Sequence, residues 1–272
     1  MYLGIDIGTT SICAVLLNCD GEIIQTRTLP NTFAIQRTKQ EHLQDANKIA
    51  QLCISIYNEM CNYGNILSLG ISGQMHGIVY VDDLGKAISP LYSWQDERGN
   101  LPYKNTTYAQ YLTNISGHTI ATGYGSCSVF YDFINNTIPK NAQTFCTIGD
   151  YVAIQLVGAK SPIVHISNAA SIGLFDIKNN KWDNDAIKKT NLPLSLFPNL
   201  TTSGAMVGKT AQGTCVYCAI GDNQASVFGS TKFDNTVIIN IGTGSQISIP
   251  VNEYVEPPIN CEIRPYVKGK YL

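Results

Sequence analysis

Residues 219–226 read Ala-Ile-Gly-Asp-Asn-Gln-Ala-Ser, with an aspartate directly after an apolar run. Aspartate is a poor strand residue and a good helix cap. A carboxylate at a strand's end can also take the proton of a substrate hydroxyl. Asp222 can serve both ends, because a cap fixes its carboxylate. Asp6 lies in a comparable place. Leu3 to Ile7 is apolar around it, and Gly8-Thr9-Thr10-Ser11 turns the chain. Asn240-Ile241-Gly242-Thr243-Gly244-Ser245 echoes that turn. Two such hairpins facing each other would grip a phosphate chain through backbone N–H groups and hydroxyls, and glycine permits the close approach. An ordinary hairpin is the plain alternative for either turn alone. A carboxylate beside polyphosphate needs a cation, which gives Asp6 a role in orienting Mg²⁺ through water; an Asx turn is its plain alternative.

Two further clusters carry chemistry. Gln74-Met75-His76 lies between Gly73 and Gly77, where a strand breaks. A lone histidine is more often structural than functional. In Trp94-Gln95-Asp96-Glu97-Arg98, Trp94 offers an apolar face for a carbon backbone, or for core packing. Asp96 can accept from vicinal hydroxyls, and Arg98 can hold Asp96 in place. Asn223 can donate to a hydroxyl. Cys215 and Cys218 form a Cys-x-x-Cys pair. Zinc would need two more ligands, and in a strand positions three apart face opposite ways.

These residues need a scaffold. The 272 residues allow one or two domains with a sizeable core. Charged residues make up 14% and the formal net charge is −2, with no Lys/Arg cluster. This argues against nucleic acid or an acidic membrane as the main partner. The start lacks a basic segment followed by an apolar one, and no apolar run approaches a membrane span, so a cytoplasmic protein is expected. The nine cysteines are then reduced thiols.

Leu3 to Ile7, Ser11 to Asn18 and Ile23 to Thr28 read as an antiparallel meander. Ala46, Ile49, Ala50, Cys53, Ile56, Tyr57 and Met60 recur at helical spacing behind Asp45, a cap. Ile66 to Ser72 and Ile78 to Val81 are strands, with a hairpin turn at Asp82-Asp83-Leu84-Gly85. Trp94 is expected to open a longer polar helical region, with short helices near 128–136, 149–157 and 184–190. Ile238 to Ile249 returns to β, and the whole is mixed α/β.

Seven stretches, in order, carry a resemblance: GIDIGTTS (4–11), GISGQMHGIV (70–79), SWQDERG (93–99), ATGYG (121–125), NAASIGLFD (168–176), GDNQAS (221–226) and INIGTGSQIS (239–248). Together they resemble the FGGY carbohydrate kinases of the actin-like ATPase superfamily. Within that family the chain is most similar to the sedoheptulokinase branch, and next to xylulokinases. The resemblance implies an actin-like (ribonuclease H-like) α/β fold. It implies a sugar- and phosphate-binding domain over 1–230 and the opening hairpin of a second domain over 231–272. It implies ATP and Mg²⁺ as cofactors and phosphorylation of a ketose hydroxyl, with Asp222 as general base and Asp6 beside the metal. Gln74, Met75, His76, Trp94, Asp96 and Asn223 become sugar-side candidates. Gly8, Thr9, Thr10 and Ser11, with Gly242, Thr243 and Gly244 opposite, become phosphate-side candidates. The partner is a small sugar, with no nucleic acid and no membrane, and room for a homodimer. Family members are longer, so a fragment that binds a ketose weakly without phosphorylating it is expected. Two readings of other classes remain: an actin- or chaperone-like ATPase, which has no need of Met75-His76 or Trp94-x-Asp96, and a non-catalytic sugar-binding module.

Overall fold

The computed structural model describes residues 1–230, 236–241 and 245–272. Its centre is a seven-stranded mixed sheet. The meander supplies β1 (Tyr2–Ile7), β2 (Ser11–Leu17) and β3 (Ile23–Pro30), paired antiparallel. Alternate residues of β1 and β2 are buried, which is the period of a strand with one covered face. The helix expected behind Asp45 is α1 (Ala46–Cys61); the Asp45 side chain accepts from the Lys48 amide, and the seven periodic residues are its buried face.

From α1 the chain returns to β4 (Ser68–Gly73), which lies parallel to β1 with Asp6 opposite Ser72. A crossover through the helical layer follows: α2 (Tyr108–Ser116), α3 (Gly125–Ile134), α4 (Ile148–Val157), α5 (Ile166–Ile172) and α6 (Asn184–Thr190). The chain re-enters the sheet as β5 (Met206–Lys209), β6 (Cys215–Tyr217) and β7 (Ile220–Gly221), and β6 and β7 both run parallel to β4. The apolar run before Asp222 is therefore two short strands, interrupted where the Cys218 amide turns aside to the Ala205 carbonyl. α7 (Asp222–Ser230) begins at the aspartate itself. β8 (Ile238–Ile241) and β9 (Ser245–Ser248) then pair antiparallel. The main core fills the space between the sheet and the crossover helices, from Ile5, Ile7 and Leu69 to Phe130, Phe145 and Tyr151.

The long helix expected from Trp94 is not formed. Only one 3-10 turn, Arg98–Asn100, appears before α2. Leu101 precedes a proline, which disfavours helical backbone, and Lys104 turns the following hairpin at φ 52°. The short α5 escapes a periodicity reading because nearly all its residues are buried. The β8–β9 hairpin leaves Ile239, Ile241, Ile247 and Ile249 exposed. The domain boundary expected at 230/231 falls beside residues outside the described set. All nine cysteines are free thiols, and among the described residues no helix is long and apolar enough to cross a membrane.

Candidate active site

The carboxyl ends of three parallel strands, β1, β4 and β7, meet at one end of the sheet. Asp6 is opposite Ser72, Ser72 is opposite Ile220, and Gly73 is opposite Gly221. This register carries Asp6 and Asp222 to the same end of the sheet. Ser72 Oγ donates to Asp6 Oδ1 at 2.6 Å. The Asn223 amide donates to Asp222 Oδ1 at 2.7 Å, holding the carboxylate at the start of α7. Asp222 is open to water on its cleft side, yet the protein around it and then the charge of Asp6 raise its pKa above the usual carboxylate value. Two hard carboxylates at the same end of the sheet fit a divalent cation such as Mg²⁺.

The first glycine turn is held by its carbonyls. Asn31 Nδ2 donates to Gly8 O, Gln44 Nε2 to Thr9 O, and the Asn31 amide to Thr10 O, at 2.9–3.0 Å. In a trans peptide the N–H points away from the preceding carbonyl. With those carbonyls turned to the protein, the Thr9 and Thr10 amides face outward, as an anion site requires. Gln74 belongs to this support. Its side chain is buried and donates to Gln44 Oε1 at 2.8 Å. Trp94 lies on the same side, with Nε1 donating to Thr9 Oγ1 at 2.9 Å. Gly242, Thr243 and Gly244 lie outside the described residues.

Met75, His76, Trp94, Asp222 and Asn223 line one cleft of about 850 Å³. Met75 packs where a Cβ on Gly221 would stand, with its sulfur 2.6 Å from that point. The glycine thus lets a thioether close the cleft at the base of Asp222. His76 takes a left-handed backbone, φ 70°. Its amide donates to Ser171 Oγ, and its Nδ1 lies 2.6 Å from the Ser171 carbonyl. A carbonyl only accepts, so Nδ1 carries the proton and Nε2 keeps a lone pair. Burial, and then Arg264, lower the His76 pKa to about 4. The ring is therefore neutral at pH 7, a hydrogen-bond acceptor with a fixed tautomer, and it stacks on Tyr124 with centroids 4.6 Å apart.

Asp96 and Gln74 are not among the residues that line the cleft. Asp96 is buried and accepts from Arg98 Nε at 2.9 Å, from the Arg98 amide and from the His42 amide. The Arg98–Asp96 contact expected from sequence is present. Arg98 also faces Asp132 at 3.7 Å and stacks over Tyr92. The pair thus fixes the loop that presents Trp94.

Sequence reasoning missed the parts that join these residues. Asn168 Nδ2 donates to the Ala219 carbonyl at 3.2 Å, and Ser171 Oγ donates to the Asn168 carbonyl at 2.7 Å while holding the His76 amide. One short helix therefore ties the histidine to the link between β6 and β7, just before Asp222. A Cβ on Gly123 would stand 1.7 Å from the Trp94 carbonyl, and one on Gly125 would stand 2.4 Å from Ile78 Cγ2. The signal was in the quoted NAAS and ATGYG stretches, whose polar and glycine positions fit no helix or strand period. Glu262 and Arg264, which also line the cleft, carried no such signal.

The model of the FGGY family of carbohydrate kinases, N-terminal domain, matches residues 1–234. The chain belongs to this family. The mouse sedoheptulokinase is 29% identical, the match covering 99% of this chain and 64% of that protein. The human sedoheptulokinase is 26% identical, over 94% of this chain and 60% of that protein. The chain thus spans a little under two thirds of the length of these family members. Among solved structures, a ligand-bound xylulose kinase from Lactobacillus acidophilus superposes with a TM-score of 0.82 at 17% identity, over 99% of this chain and 58% of that one. The fold is accordingly the actin-like ATPase fold of the FGGY kinases.

Proposed function

We propose that this chain provides the sugar-binding and proton-accepting side of an ATP-dependent ketose kinase, with a sedoheptulose-like acceptor. The observation that carries the reading is that Asp222 and the Met75–His76 corner line one cleft, at the end of the sheet to which the strand register also brings Asp6. An actin- or chaperone-like ATPase would account for the phosphate turn but not for a neutral, tautomer-fixed histidine in the cleft with Asp222.

In this reading the acceptor hydroxyl lies against Asp222. As its oxygen bonds to the γ-phosphorus, its proton passes to the Asp222 carboxylate and the bridging oxygen leaves with ADP. The raised Asp222 pKa suits a group that must accept a proton near neutral pH. Asp222 and Asn223 hold the reacting end of the sugar, Met75 gives an apolar contact, and His76 Nε2 accepts from a hydroxyl. Trp94 covers the carbon chain, while Asp96 and Gln74 position their neighbours. The Gly8–Ser11 turn, with Gly242, Thr243 and Gly244 opposite, binds the phosphates. Mg²⁺ held at Asp6 would neutralise charge on the β- and γ-oxygens. The compartment is the cytoplasm, and domain one extends over 1–230.

Xylulose is the second acceptor to test, since xylulose kinases are among the relatives, including one from Lactococcus lactis at 24% identity. The deciding assay is sugar-dependent ADP release by the cellular polypeptide that carries this sequence, with sedoheptulose, xylulose and glycerol in parallel. Release with a ketose supports the proposal; ATP hydrolysis indifferent to every sugar refutes it.

A further inference from the structure

The far wall of the cleft is built by residues beyond the region matched by the family model. Arg264 and Glu262 line the same cavity as His76 and Asp222. Arg264 Nε and Nη2 both donate to Glu262 Oε2, at 3.0 and 2.7 Å. The strap that carries them is anchored independently of these side chains. Arg264 and Leu272 exchange backbone hydrogen bonds, and Val251 and Tyr271 do the same. Asn180 Nδ2 donates to the Tyr271 hydroxyl. Ile263 and Tyr266 are buried. An arginine fixed this way by its own backbone is preorganised rather than merely nearby.

Its position along the cleft follows from its neighbours. Arg264 and Glu262 line a second cavity together with Tyr124, the ring on which His76 stacks. Asp222 is not among the residues that line that cavity. The pair therefore stands on the histidine side of the cleft. The ion pair is neutral as a unit, which disfavours an anionic ligand. It offers guanidinium N–H donors beyond the two that Glu262 takes, beside carboxylate acceptors, and that combination matches hydroxyls, each of which donates and accepts.

Resting on the ketose-kinase reading, we propose that Arg264 and Glu262 form a distal subsite that binds the hydroxyls of the acceptor's far end and so selects long polyhydroxylated ketoses over short acceptors. A seven-carbon ketose reaching from Asp222 past His76 would meet the pair. Glycerol held at Asp222 would not.

The test is calorimetric binding of sedoheptulose, xylulose and glycerol to the purified chain and to its Arg264→Met and Glu262→Gln variants. Loss of a charge-assisted hydrogen bond corresponds to about a 10- to 100-fold loss of affinity. That loss is expected for sedoheptulose in Arg264→Met, with a smaller one for xylulose and less than threefold for glycerol. Arg264→Lys, which keeps the charge and loses the fork, should recover only part of the affinity. Unchanged thermal melting, expected because the strap is held by backbone pairs, separates a lost contact from a lost fold. If wild type binds sedoheptulose and Arg264→Met binds it equally well, or loses all three ligands alike, the distal subsite is wrong. If wild type binds no polyol at all, the ketose reading of the cleft fails first and takes the subsite with it.

Discussion

Replacing Gly123 by alanine tests how the cleft loop is held. The added Cβ would stand 1.7 Å from the Trp94 carbonyl oxygen, and contacts below 3.0 Å essentially do not occur. Both atoms belong to short, anchored segments, so one backbone must retreat by about 1 Å or more. The hydrogen bond from Trp94 Nε1 to Thr9 Oγ1 is 2.9 Å, and a shift of that size carries it beyond about 3.5 Å. Overpacking of this kind costs about 1–3 kcal/mol, or roughly 2–5 °C in melting temperature for a chain of this size. The chain has two tryptophans: Trp94 is 47% exposed, and Trp182 is 9% exposed with its indole N–H on the Pro198 carbonyl. The iodide-quenchable part of the fluorescence therefore reports Trp94. Gly123→Ala should lower the melting temperature and red-shift that quenchable emission. Gly204→Ala, whose Cβ would meet nothing within 4 Å, should do neither. A Gly123→Ala protein that melts within a degree of wild type with unchanged quenching would refute this account of the loop.

Arg98→Met should destabilise the chain by about 3–5 kcal/mol in urea unfolding, because buried Asp96 and Asp132 lose their common guanidinium. Adding Asp132→Asn should restore part of that loss, and additive losses would contradict the pairing. His76, lowered to about 4 from 6.5, should stay neutral in an NMR titration until the pH nears 4. Between those values the unfolded chain binds the extra proton, so this residue costs stability as pH falls through the window and none above it. An imidazole midpoint at 6 or higher would contradict the buried, Ser171-bound ring.

The sheet and most of its helices were legible because their burial is one-sided. β1, β2 and α1 alternate buried and exposed residues with the period of their backbone. α5 was not legible, since nearly all its residues are buried and it shows no period. The Trp94 region was misread because its polar residues suit a helix locally. Leu101-Pro102 and the buried Asp96–Arg98 pair impose another path. At the site, chemical type and place in a motif pointed to Asp6, Asp222, Met75 and His76. Neither could show that Gln74 and Asp96 turn inward, because that depends on Gln44, His42 and Arg98, from distant or differently folded stretches. Arg264 and Glu262 reach the cleft only through the tertiary docking of the 251–272 strap.

The most direct test of the central claim is Asp222→Asn in the cellular polypeptide that carries this sequence. The amide keeps the size of the side chain and the contact with the Asn223 amide, but it cannot take up the acceptor's proton. Ketose affinity by calorimetry should stay within a few-fold of wild type, while sugar-dependent kcat falls by roughly 10²–10⁴. A variant that binds ketose normally and turns over at near wild-type kcat would show that Asp222 only begins a helix and that the proton goes elsewhere.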